Sequence, residues 1–285
     1  MTVRIVTDST ADFSADEIKK YNIEVVPLNV IIDGNEYKDG VDLTHKEFYE
    51  MLATANALPT TSQPAPSEFV NIFADAKKQG DSVVTICISS EISGTYQQSA
   101  LLAKQIVEYD EVFVIDSKQA TLSQKIIVLQ AIKMRDEGFS AGEIYQFIES
   151  NKERAVIIAY VDTLEYLVKG GRLPKTVGFA GKVLGVKPIV TLTEGKVTVK
   201  EVARGKKSAL QKLLQTVEKL GVDETLPFLY GSTYPIEIGE EVRDFLMDNN
   251  CSDASVVAIG TVIGTHAGPG AAAFAFFKKL NVDNQ

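Results

Sequence analysis

Apolar and polar positions along the first half of this chain alternate between the period of a buried strand and that of a helix. Thr2 to Thr7 reads as an apolar strand that ends in the polar turn Asp8 to Asp12. Ser14 with Glu17 three residues on forms a capping box for a helix reaching Tyr21. Ile23 to Ile32 is a second strand, closed by the turn signal Asp33-Gly34, and Glu36-Tyr37 returns as a short one. Thr44 caps a helix through Phe48, Met51 and Leu52. Leu58 to Pro66 holds three prolines in nine positions, so it is extended and neither helix nor central strand. Pro66 suits the first turn of a helix running to Lys78. Val83 onward is a continuous apolar run, the composition of a strand buried on both faces. A helical pattern through Leu101, Leu102 and Ile106 follows it, then a strand at Val112 to Ile115 and a long helix from Thr121 to Glu137.

After a helix at Ala141 to Asn151 the pattern changes. Ala155 to Tyr160 is a strand, Leu164 to Val168 a short helix, and Gly170-Gly171-Arg172 a sharp stop. A helix rich in Gly and Ala spans Lys175 to Leu184. Pro188 to Leu192 and Lys196 to Val202 pair as a hairpin, which a purely parallel sheet does not contain. Helix Lys206 to Leu220, strand Leu226 to Gly231, helix Ile236 to Asn249 and strand Ser255 to Ile259 follow, and a last helix is expected from Gly270 to Leu280. The pattern predicts an α/β protein of two domains, residues 1–152 and 153–285, with the boundary near Asn151 to Arg154. The first carries a parallel sheet with helices on both faces, the second a mixed sheet with a hairpin.

The candidate chemistry collects in polar turns at strand carboxyl ends: Asp8-Ser9, Ser90 to Ser93 and Asp116-Ser117. Open α/β sheets bind ligands at that edge. In Ser89 to Thr95 hydroxyls and free N–H groups meet at a helix N-terminus, a geometry that holds anions. The plain alternative is that these serines only cap the helix. No phosphate loop, G-x-G-x-x-G after the first strand, HExxH, CxxC or G-x-S-x-G occurs, and with only His45 and His266 a histidine-rich metal site is excluded. His45, in the first turn of a surface helix, reads as incidental. His266 stands between Gly264 and Gly268 in a turn, where glycines allow close backbone approach. Ser93 as nucleophile with His266 and Asp116 is an allowed enzymatic set that nothing in the sequence brings together.

The net charge of −9 argues against nucleic acid or an anionic membrane as the main partner, so an anionic ligand has to be caught by local donors. No apolar stretch reaches the ~18 residues needed to span a bilayer. Cys87 and Cys251 stand far apart and read as packed thiols, and together these features predict a soluble cytoplasmic protein.

TDSTADF at Thr7 to Phe13, TTSQPAPSEF at Thr60 to Phe69, ISSEISGTYQQSA at Ile88 to Ala100, DSKQATLSQ from Asp116, YLVKGGRL from Tyr166 and GTHAGPGA from Gly264 resemble the DegV family, in order and across essentially the whole chain. The resemblance implies two α/β domains with a long-chain fatty acid between them and no other cofactor. Many members look like the non-catalytic binding subunit of bacterial fatty acid kinase, often called FakB. A separate ATP-binding subunit there phosphorylates the acid, and the acyl-phosphate enters phospholipid synthesis. The resemblance assigns the carboxylate to Thr61 and Ser93, with Ser62 and the Gly94 backbone close by and His266 in the same network. Arg204 resembles an arginine near the ligand head, and Arg172 one that serves partner docking or the rim. It also implies a transient membrane contact for ligand exchange. Alternatives carried beside it are a serine-type acyl hydrolase or transferase using Ser93 and His266, and a lipid sensor without a kinase partner. The small-residue segment Val177 to Val190 is expected to wall the acyl slot.

Overall fold

The computed structural model of the chain describes residues 2–177, 185–235, 237–248 and 255–279. Strands β1 (Val3–Asp8), β2 (Glu24–Val26), β6 (Ser82–Cys87) and β7 (Val112–Asp116) form an all-parallel sheet in the order β2-β1-β6-β7. Its strands are apolar on both faces, and the alternation sorts their side chains between two helical layers. Val6, Val83, Cys87, Val112 and Val114 pack with helix α3 (Pro66–Gln79) and with α4 (Leu102–Val107), which continues a π-helical stretch at Thr95–Leu101. Ile5, Val84, Ile86 and Ile115 face α5 (Thr121–Asp136) and α6 (Ala141–Asn151), with α1 (Ala15–Tyr21) alongside.

A second sheet runs β10-β9-β8-β13-β11-β12. It comprises β8 (Ala155–Tyr160), β9 (Val186–Thr193), β10 (Lys196–Arg204), β11 (Leu229–Ser232), β12 (Ser255–Ala258) and β13 (Ala272–Phe277). Only β11 and β12 pair in parallel; the other pairs are antiparallel. One face, with Ile158, Tyr160, Phe274 and Phe276, packs on α8 (Lys206–Leu220) and α9 (Glu237–Asp248). The other, with Ile157, Leu229, Ala273 and Ala275, joins the same apolar cluster as α5. The layers therefore run helix, sheet, helix, sheet, helix, and α5 belongs to the layer both sheets share.

Two expectations are corrected. Ile23 to Ile32 is not one strand: it breaks at Pro27, which has no N–H to donate, and β3 (Asn29–Ile32) enters a separate antiparallel sheet, β4-β3-β5, with β4 (Asn35–Lys38) and β5 (Thr60–Ser62). The segment read as a last helix is β13, placed between β8 and β11. Its Phe274 and Phe276 point to one face and Ala273, Ala275 and Phe277 to the other, so the alanines that suggest helix line a central strand. The helix lies just before it, as α10 (Thr261–Ala267). The expected helix at Lys175 to Leu184 falls mostly outside the described residues, as do Cys251, Ile236, Asn249 and Leu280.

Polar side chains of α5 are tied to the loop after β1. Gln124 accepts from the Thr10 hydroxyl (2.8 Å) and donates to Thr7 Oγ1 (3.1 Å), and Lys125 Nζ donates to the Asp12 carbonyl (3.0 Å) and Glu17 (2.7 Å). The Thr121 hydroxyl donates to Asp12 Oδ2 (2.6 Å), while Asp12 Oδ1 takes the Gly260 N–H (2.9 Å). Asp39 accepts from Thr261 (2.6 Å). These two carboxyls thus seat the start of α10.

Burial, with Asp39 nearby, holds the Asp12 carboxyl up at about 8, against an ordinary 3.8. An acid raised in the fold contributes stability that is complete below its unfolded pKa and is lost as pH rises through the folded value. Thermal unfolding of wild type should therefore decline between pH 4 and 8 more steeply than that of Asp12→Asn; Asp39, also raised by burial, keeps part of the decline in both. Parallel profiles would show Asp12 ionised in the native state.

Candidate functional site

A cavity with about 880 Å³ of space free of protein atoms, its open mouth included, lies between the two sheets. Its floor is the α5-facing side of the second sheet: Ile157, Ala159 and Val161 from β8 and its end, Val190 and Leu192 from β9, Ala273 from β13. Ala159 sits opposite Ala273 across the β8–β13 ladder. Two methyl-sized side chains at the centre of a sheet leave a trough where larger ones would fill it. Opposite stand Ile88 and Ile92 from the loop after β6, Ala120 and Thr121 at the start of α5, and Ile259, Val262 and Ile263 in and before α10. Thr121 is a β-branched residue at φ 48°, a strained conformation that its hydrogen bond to Asp12 helps to hold.

The polar groups gather at Thr61, Ser93, Arg172 and His266, all of which line this cavity. Thr61 is delivered by β5, opposite Val30 of β3, and alternation turns its neighbours Thr60 and Ser62 the other way. Its hydroxyl lies 2.8 Å from His266 Nε2. His266 comes from the last turn of α10, and its ring packs against α7 (Glu165–Lys169) and the Gly170 that ends it. A Cβ at Gly170 would collide with His266 Nδ1, so the glycine of the KGGR turn makes room for the imidazole. Nδ1 is buried without a hydrogen-bond partner among the described residues. The Ser93 hydroxyl lies 3.0 Å from Thr95 Oγ1 and accepts a long contact from the Thr95 N–H (3.4 Å), so it touches the first helical residue and lines the cavity at once.

Arg172, expected at the rim or a docking surface, is a half-buried part of the cavity wall. Its Nε donates to the Ile92 carbonyl (3.0 Å) and Nη1 to the Gly170 carbonyl (2.7 Å). No carboxylate among the described residues pairs with it, and desolvation lowers its pKa. Burial, reinforced by the Arg172 charge, drops His266 to about 3, so the imidazole is neutral at any physiological pH. Among the described residues the cavity therefore presents one cation without a carboxylate partner, a neutral histidine and two hydroxyls beside an apolar trough. An incoming carboxylate would gain charge-assisted hydrogen bonds there.

The remaining predicted residues stand elsewhere. Ser62 accepts from Asn29 Nδ2 (3.2 Å) and contacts Glu36 (3.4 Å). Gly94 starts the helix, its carbonyl taking the Gln98 N–H (2.8 Å), and does not line the cavity. Arg204 is exposed at the end of β10. Of the expected wall, Val190 lines the cavity, and residues 178–184 lie outside the described ones. The hydrolase set is not assembled. Asp116 accepts from the Ser90 N–H (3.1 Å) and pairs with Lys118 (2.9 Å), no hydrogen bond among the described residues joins Ser93, His266 and Asp116, and a histidine near 3 is a poor base at neutral pH. His45, read as incidental, is half-buried beside Asp39. Sequence reasoning also missed the seating role of Asp12 and Asp39, because their bonds to Thr121, Gly260 and Thr261 join segments more than a hundred residues apart. The described residues contain no cluster of three or more His, Cys, Asp or Glu able to hold a metal.

Comparison with known proteins places these features in a family. Residues 2–279 match the sequence model described as "Uncharacterised protein, DegV family". A DegV domain-containing protein of Caldanaerobacter subterraneus is 39% identical over 285 residues, covering 97% of this chain and 99% of its own. A solved structure described as fatty acid binding of a DegV family protein from Thermus thermophilus superposes with a TM-score of 0.88 at 32% identity, over 98% of this chain and 100% of that one. Another, a stearic acid-binding protein from Eubacterium ventriosum, gives 0.86 at 30% identity, over 98% and 99%.

The neutral histidine is directly measurable. Ring nitrogen and carbon shifts of His266 should stay constant between pH 8 and 5 in NMR of the purified protein. A titration midpoint near the ordinary 6.5 would show the ring to be hydrated and the cavity open to water.

Proposed function

The chain belongs to the DegV family, and on that premise we propose that it binds a long-chain fatty acid in this cavity, carboxylate toward Arg172, Thr61, Ser93 and His266 and tail along the alanine trough. The observation that carries the reading is a desolvated arginine, without a carboxylate partner among the described residues, at the polar end of an otherwise apolar slot. Each buried methylene adds roughly 0.8 kcal/mol, so a long chain gains on the order of 10 kcal/mol before ordering costs. The relatives described as binding a fatty acid, and stearic acid in one case, support the same ligand class.

The finer reading is a carrier, cytoplasmic and not catalytic by itself. It presents the carboxylate to a separate ATP-dependent kinase subunit for acyl-phosphate formation, which feeds phospholipid synthesis. Residues 1–152 and 153–285 act as its two domains. Support comes from the motif resemblance, and from Arg204, which is exposed and free to meet a partner.

Native mass spectrometry of the protein as purified should show an adduct of fatty-acid mass that leaves on denaturation. A clean apo mass, with no thermal shift on adding palmitate or oleate, would remove the carrier reading. Thr61→Ala and Ser93→Ala should each weaken binding by about 1–3 kcal/mol, and Arg172→Ala by at least as much, because its bond to the ligand is charge-assisted. Unchanged affinity in all three would mean the head group sits elsewhere. With the kinase subunit and ATP, Arg204→Ala should slow hydroxylamine-trapped acyl-phosphate formation while the fatty-acid affinity holds.

A further inference from the structure

The β9–β10 hairpin ends in a tip that overhangs its own sheet. β9 is laddered to β8 only at Ile189 to Thr191, opposite Tyr160 to Ile158. There the ladder stops, and the Thr191 hydroxyl instead donates to the Ile157 carbonyl (2.6 Å). Beyond that point β10 is the one strand paired with β9 among the described residues, and β10 is the outer edge of the sheet. The register of β10 shifts between Val199 and Glu201, an irregularity of the kind that bends a strand. The overhang still carries cavity wall: Leu192 and Val197, paired across the hairpin, both line the slot.

What holds the tip is a small latch on the other side of the cavity. Gly195, at the turn and φ 80°, is buried against the loop after β6, so closely that a Cβ would collide with the Ser89 hydroxyl. Ser89 Oγ donates to the Gly195 carbonyl (2.9 Å), buried. Glu91 bridges Lys196 of the hairpin (3.3 Å) and Lys118 (3.4 Å). The loop bearing Ser89 and Glu91 supplies Ile88, Ile92 and Ser93 to the cavity. The latch thus spans the slot, with hairpin on one side and head-group loop on the other. Thr193 and Thr198 hydroxyls, 3.0 Å apart, tie the two strands of the tip so that it moves as a unit.

We propose that this hairpin tip is a flap through which the acyl chain enters and leaves, closed by Ser89–Gly195 and Glu91–Lys196; the proposal rests on the fatty-acid reading above. Opening it breaks one buried hydrogen bond and one solvent-exposed ion pair and separates Leu192 and Val197 from Ile88 and Ile92. The sheet beneath, α5 and the Arg172 cluster stay in place. The closed flap excludes water from the tail, and the open one lets the tail out sideways toward an acceptor surface.

The test is stopped-flow transfer of a fluorescent long-chain fatty acid from the loaded protein to phosphatidylcholine vesicles carrying a quencher. Ser89→Ala should speed transfer about fivefold, the effect of one hydrogen bond of ordinary strength. Glu91→Gln and Lys196→Gln should speed it about twofold each. Added salt should speed the wild type but not Glu91→Gln, since only the wild type has the exposed pair to screen. Entry should accelerate along with exit, so equilibrium affinity changes less than either rate. Wild-type rates in all three variants would overturn the flap, as would a lower affinity reached with an unchanged entry rate, which marks a mere loss of packing. Glu91→Gln and Lys196→Gln alter exposed side chains, and they decide the matter even if Ser89→Ala fails to fold. Wild-type protein that takes up no labelled acid defeats the binding reading, and the flap falls with it; wild-type binding with unaltered variant rates defeats the flap alone.

Discussion

Helix α5 is pressed between two sheets, and the arrangement of everything around it follows from that. Twelve of its sixteen residues are buried. Its first two turns, Thr121 to Val128, have no solvent face on which to place polar side chains, so the polar groups there need internal partners. Thr121, Gln124 and Lys125 find theirs in the loop after β1, whose Asp8 also takes the Ile88 N–H (2.7 Å) at the end of β6. One polar seam thus joins the start of α5, the loop of the first sheet and, through Asp12 and Asp39, the start of α10. The cavity opens at the end of that seam. The wall nearest the seam is cross-linked by these buried hydrogen bonds.

The electrostatics of the site are local. A net charge of −9 gives no attractive field for an anion, and none is required. Arg172 is held by two backbone carbonyls, which orient the guanidinium without neutralising it. Its charge and the scarcity of water together keep His266 unprotonated, so the histidine serves as a hydrogen-bonding partner of Thr61 and brings no second positive charge into an apolar slot. The same scarcity of water that makes an unpaired cation costly makes its pairing with a carboxylate favourable.

Rigidity is unevenly distributed around the slot. The floor is a sheet with helices on both faces, and the polar end is cross-linked by side chains from β5, α10 and the loop after α7. The hairpin tip is attached at its edge by far less. A binding site with one weakly held wall can enclose an apolar tail completely and still exchange it, which a uniformly packed core would prevent.

Much of the fold is legible in the residues themselves. Capping boxes at Ser14, Thr44 and Ser140 mark helix starts, and continuous apolar runs mark β1, β6 and β7, because these signals are local and need no partner. A polar turn at a strand carboxyl end likewise singles out Ser93, since that edge is where backbone donors are left free, whereas Thr61 is marked only by the family resemblance of its segment. Tertiary structure decided the rest. Ala272 to Phe277 is a strand because β8 and β11 leave a gap that only an extended segment buried on both faces can fill, whatever its alanines prefer. Arg172 belongs to the cavity because the turn after α7 folds it inward against Ile92, a contact across eighty residues that no local pattern encodes. The carboxyls of Asp12 and Asp39 are both pushed upward because packing buries them, Asp12 to about 8. Local chemistry selects which residues can serve, and the burial created by distant segments decides what each one does.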